Sequence, residues 1–116
     1  MQAVRLDQLL PKDVAARLLA FRLDFARVLP GVIEDVILFG SRARGDAQPD
    51  SDYDVAVLLS GDLADERDIR SRVYGVAYDY LLEGTMIQAV PLSAEEIHST
   101  RTELAMRIAA EGIPVR

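Results

Sequence analysis

Cysteine is absent from the 116-residue chain, which excludes a disulfide scaffold and a structural zinc site of the thiolate type. Positive charge is scarce. Thirteen Lys and Arg stand against 19 Asp and Glu, for a formal net charge of −6. A general nucleic-acid binder needs a basic surface to displace counterions from phosphates, so no direct nucleic-acid role is expected. Long apolar runs are missing too. None approaches membrane-spanning length, and the opening MQAVRLDQLLPKD places Arg5 and Asp7 where a signal peptide needs an apolar segment. Repeats, low-complexity tracts and linkers are also lacking. The expectation is a cytoplasmic protein of one domain, residues 1–116, with half its residues apolar and one hydrophobic core.

What is present reads as alternating helices and strands. Residues 1–11 read as a loose or partner-docked arm. Val14, Leu18, Phe21, Phe25 and Val28 recur at helical spacing from Asp13 to Leu29, and Pro30-Gly31 stops that helix. Its second apolar set, Ala15 and Leu19 with the leading Leu9-Leu10, reads as a possible docking face. Val32 to Phe39 is a strand, Ser41 to Asp46 a short helix, and Asp52 to Leu59 a second strand buried on both faces. Leu63 to Glu83 is a long helix closed by Gly84, with Tyr74 and Tyr78 off its core stripe. Thr85 to Leu92 is a third strand. Ser93 and Glu96 have capping-box spacing ahead of a last helix that runs to about Ala110 and ends at Gly112. His98, the only histidine, reads as a surface residue. The fold class is α/β (α+β): a small mixed sheet of three strands with flanking helices.

The chemistry concentrates in FGSRARGDAQPDSDYDVAVLL, Phe39 to Leu59. Side chains alternate along a strand, so Asp52 and Asp54 project from one face with Cα atoms roughly 6.5–7 Å apart, and Tyr53 points the other way into packing. Two carboxylates this close repel each other, and a hard cation relieves the repulsion. Gly40 and Ser41 end the preceding strand. Glycine lets a phosphate approach the backbone, a Ser hydroxyl and exposed N–H groups bind its oxygens, and Arg42 and Arg44 neutralise charge. Either half alone is a common turn. A phosphate cradle beside a carboxylate pair on consecutive strands is the equipment of metal-assisted nucleotidyl transfer.

Gly40-Ser41, ten residues, then Asp52-Tyr53-Asp54 resembles the signature of the minimal nucleotidyltransferases (MNT) of the DNA polymerase β-like superfamily. The apolar flanks and the ending Ala110-Glu111-Gly112-Ile113 fit as well, and the resemblance covers about residues 28–116. It implies a polymerase β-like minimal fold, ATP as substrate and Mg²⁺ held by Asp52 and Asp54, with Gly40, Ser41, Arg42 and Arg44 on the nucleotide. It also implies an antitoxin role beside a HEPT-domain toxin, with AMP transferred to a toxin tyrosine. The family's third carboxylate falls at Gln88, a neutral residue and a poor base. Glu83 is the nearest acid, on the wrong side of a turn. Active transfer, a non-catalytic subunit that neutralises its toxin by binding it, and a small-molecule nucleotidyltransferase therefore all stay open.

Overall fold

The computed structural model of the protein describes residues 4–116. Strands β1 (Ile33–Phe39), β2 (Tyr53–Leu59), β3 (Ile87–Ser93) and β4 (Ile113–Pro114) form one sheet in the order β3-β2-β1-β4. β1 is antiparallel to both β2 and β4. β2 and β3 are parallel and joined through helix α4 (Arg67–Leu82), the crossover a parallel pair requires. The other helices are α1 (Leu6–Leu9), α2 (Lys12–Val28), α3 (Ser41–Arg44), α5 (Ala94–Ser99) and α6 (Glu103–Glu111). The sheet is mixed and flanked by helices, as the α+β reading required.

The unbroken apolar run of β2 follows from burial on both faces. Val55, Val57 and Leu59 pack with Leu18, Phe21 and Phe25 of α2 and Val73, Val76 and Ala77 of α4. Ala56 and Leu58 pack the other way, with Ile97 of α5 and Ala105 and Ile108 of α6. Asp54 precedes Ala56 by two residues and so belongs to the α5–α6 side of the sheet.

On the opposite side, α2 and α4 are joined by more than packing. The Phe21 ring meets those of Phe25 and Tyr80 edge-on, with centroids 4.7 and 5.3 Å apart. The Tyr80 hydroxyl donates to Asp24 at 2.7 Å. That bond holds the Asp24 carboxyl below its ordinary range. Burial first, then the same bond, pushes the Tyr80 hydroxyl up. Tyr80→Phe keeps the ring and is expected to cost about 1–2 kcal/mol at neutral pH. A carboxyl depressed in the fold adds stability above its unfolded pKa of about 4 and loses it as pH falls through the folded value. The deficit of the variant should therefore shrink in acid, which urea denaturation at neutral pH and at about pH 3 would reveal.

Several elements depart from the sequence reading, each for a local reason. The single last helix is two helices, because Thr100 takes a left-handed conformation (φ 49°) and Thr102 starts α6 by accepting the Ala105 N–H at 3.0 Å. Ser93 precedes α5, but its side chain makes no cap hydrogen bond, so the capping box with Glu96 does not form. The long second helix opens as a 3₁₀ turn, Leu63–Asp65, ahead of α4. The sheet has a fourth strand, β4, and the Val115 N–H donates to the Val36 carbonyl at 2.8 Å just beyond it. The arm read over residues 1–11 contains α1, whose Leu6 is buried in the main core with Leu9 and Leu10 packed against it. Residues 1–3 of that arm lie outside the described residues. Ala15 is buried too, so of the suggested docking set only Leu19 is exposed. Tyr74, Tyr78 and His98 stand at the surface.

Candidate active site

β1 delivers Gly40 directly over the carboxylate of β2. Phe39 pairs with Asp54 in the antiparallel ladder, so the next residue leaves the sheet across the Asp54 side chain. Gly40 does so with φ 77° and ψ −158°, a backbone region open essentially to glycine alone. A Cβ built on it would collide with Asp54 Oδ2 and lie 3.2 Å from Cγ. Ser41 follows as the first residue of α3. Across the parallel ladder, Gln88 is paired with Asp54 and exposed, so it stands beside that carboxylate on the same face. No acid takes the place expected of a third one.

The C-terminal end of α6 closes the site from the other side. The Gly40 N–H donates to Glu111 Oε1 at 2.9 Å. Arg44 Nη1 donates to both Glu111 oxygens, at 3.2 and 3.0 Å, and Arg107 lies 3.5 Å from the same carboxylate. Arg44 also bonds Asp46 at 3.2 Å, and these contacts, Glu111 first, push its guanidinium pKa up. The Arg107 guanidinium carbon lies 6.0 Å from the Phe39 ring centroid. Sequence reasoning missed Arg107 and Glu111 as site residues. The signal available was their i,i+4 spacing on the last helix together with the Glu-Gly-Ile ending, which the sequence reading uses as a helix stop and as part of the family resemblance but not as a site.

Charge at the site is poised around Asp54. Burial, and next the charge of Asp52, push its carboxyl up, while Arg107 and Arg44 pull it down and Glu111 opposes them. Two carboxylates with mutual repulsion and partial burial suit one hard cation, whose other positions water and phosphate oxygens can fill. Among the described residues there is no group of three or more His, Cys, Asp and Glu that could hold a metal ion by themselves. The donor set thus fits a single Mg²⁺ shared with a phosphate ligand rather than an all-protein cage.

Arg42 departs from its expected place. Its guanidinium donates to the Ser51 carbonyl at 2.8 and 3.2 Å and to the Pro49 carbonyl at 3.2 Å, and it lies 4.5 Å over the Tyr53 ring. Tyr53 packs on the α2–α4 core, so Arg42 is drawn to the sheet face away from Asp54. A cavity of about 510 Å³ on that side is lined by Asp13, Arg17, Arg42, Tyr53 and Met86, and none of Gly40, Ser41, Asp52 or Asp54 contributes to it. Glu83 is ion-paired with Arg17 at 2.7 Å, apart from the carboxylate pair. The structure therefore gathers Gly40, Ser41, Arg44, Asp52, Asp54 and Gln88, adds Arg107 and Glu111, and leaves Arg42 out.

A family model described as the nucleotidyltransferase domain matches residues 20–104. That span holds Gly40, Ser41, Asp52, Asp54 and Gln88 and stops short of Arg107 and Glu111. No curated protein matches the chain. Among solved structures, a candidate nucleotidyltransferase from Sulfolobus solfataricus is similar over 88% of this chain and 82% of its own, at 24% identity and a TM-score of 0.55. A toxin–antitoxin structure with AMP-PNP is similar over 84% of this chain and 72% of its own, at 20% identity and a TM-score of 0.58. At these identities the two likenesses establish the fold.

Proposed function

The chain belongs to the nucleotidyltransferase-domain family, and we propose that it is an MNT-type antitoxin that transfers AMP from ATP to a tyrosine hydroxyl of a cognate HEPT-domain toxin. The observation that carries the proposal is the direct apposition of the Gly40 turn and the Asp54 carboxylate, which sets Ser41 and the start of α3 beside a cation site. Gly40 leaves room for the Asp54 carboxylate, and the Ser41 hydroxyl and Arg44 guanidinium bind the phosphate oxygens beside it. Asp52 and Asp54 would hold Mg²⁺, which when bound neutralises the triphosphate and polarises the α-phosphorus. The acceptor oxygen bonds to the α-phosphorus as the bond to pyrophosphate breaks. The hydroxyl proton passes to the phosphate oxygens of the substrate, because Gln88 has no carboxylate to take it. The net charge of −6 weighs against a nucleic-acid acceptor, and the likeness to a toxin–antitoxin structure supports a protein one. In this reading residues 1–116 act as one domain in the cytoplasm.

Gln88 beside Asp54 supports a second reading, in which the chain neutralises its toxin by covering it and the nucleotide site is inert or regulatory. Calorimetric titration with AMP-PNP decides whether the site works at all. The expected result is a micromolar Kd, about −8 kcal/mol, that requires Mg²⁺. No heat of binding with or without Mg²⁺ would remove the nucleotide site from both readings.

A further inference from the structure

Glu111 lies outside the span matched by the family model, yet it touches two residues of the nucleotide site. Its side chain is 15% exposed; among the described residues it accepts from the Gly40 N–H after β1 and from Arg44 at the end of α3, and it is ion-paired with Arg107 one turn back on α6. Gly40 is buried, and without this carboxylate its N–H would lose its acceptor. Arg44 is 41% exposed, a long side chain with several rotamers to choose from. Nη1 reaches Glu111 and Nε reaches Asp46, which leaves the two hydrogens of Nη2 for another acceptor.

We propose that Glu111 is a positioning residue for nucleotide binding: its carboxylate fixes the Gly40 turn through the N–H and aims Arg44 so that Nη2 meets a phosphate oxygen. This rests on the nucleotide site proposed above. The carboxylate acts through Arg44 and does not itself touch the ligand. Its negative charge also offsets Arg44 and Arg107, so the pocket favours phosphate that arrives with a cation over a lone anion.

The test is a double-mutant cycle read by calorimetry with AMP-PNP and Mg²⁺, using the full chain, Glu111→Gln, Arg44→Ala and the double variant. Glu111→Gln is isosteric and is expected to weaken AMP-PNP about tenfold in the native background and less than about twofold once Arg44 is removed. Glu111→Asp, which keeps the charge, should recover part of the loss. It also carries the same cycle if circular dichroism shows that the Gln variant does not fold. A loss of equal size in both backgrounds would mean that Glu111 does not act by aiming Arg44 and supports only the Gly40 turn or the fold. Unchanged or tighter binding would mean a spectator or a competing anion. Either result overturns the proposal while leaving the nucleotide site standing. Failure of the unaltered chain to bind AMP-PNP overturns both.

Discussion

Gly40→Ala is expected to abolish Mg²⁺-dependent nucleotide binding and to destabilise the fold by about 1–3 kcal/mol. Two separate effects combine. The backbone at φ 77° and ψ −158° penalises any Cβ, whatever the space around it. The space is also taken: the new methyl group would collide with Asp54 Oδ2 and sit 3.3 Å from its Cβ. Asp54 has no simple retreat, because its backbone is paired on one side with Phe39 and on the other with Gln88. Relief must come from turning its carboxylate away from Asp52 or from lifting the Gly40 turn off the Glu111 carboxylate. Either movement dismantles the site. Urea denaturation and AMP-PNP titration of the variant check both halves, and native stability with native affinity would contradict the geometry.

Asp54→Asn should act in opposite directions on binding and on stability. Losing one of the two proposed anionic ligands is expected to weaken Mg²⁺–AMP-PNP at least tenfold, about 1.4 kcal/mol. The ligand-free variant should nonetheless melt at a higher temperature at neutral pH. Burial and Asp52 raise the Asp54 carboxyl in the fold, so its ionised form is the less favoured one there. A carboxyl raised above its unfolded pKa of about 3.9 gives stability that is present below that value and lost as pH rises through the folded one. Asparagine cannot ionise, so the gain in melting temperature should vanish in acid. Scanning calorimetry at neutral and acidic pH would show this, and a lower melting temperature at neutral pH would refute it. In cells the same variant separates the two functional readings. Release of toxicity supports AMP transfer, and unchanged neutralisation supports a subunit that works by covering its toxin.

Features set by adjacent residues were legible in the sequence. The approach of Gly40 to Asp54 follows from two consecutive strands, one ending in Gly-Ser and the other beginning in Asp-x-Asp. The place of Gln88 came from the family resemblance, and the parallel pairing of β3 with β2 sets it beside Asp54. Features set by distant docking were not. Arg42 and Arg44 are equivalent on paper, two polar residues after one strand. Only the Pro49–Ser51 carbonyls and the Tyr53 ring draw the first away, and only the end of α6 captures the second. Two residues of β4 are too few to show alternation. The break at Thr100 lies inside a stretch whose apolar spacing continues through it, so periodicity could not reveal it.

The placement of β4 has a bearing on how the protein is made. During translation β1 and β2 emerge early and can pair, but the far edge of β1 then shows open backbone groups to whatever strand is nearby. Those groups, the Val36 carbonyl among them, meet their partners only when residues 113–115 leave the ribosome. The Gly40 N–H waits as long for Glu111. A nascent chain therefore carries its aspartates well before it carries the clamp around them, and the edge most prone to mispairing is sealed by the same late segment that completes the site.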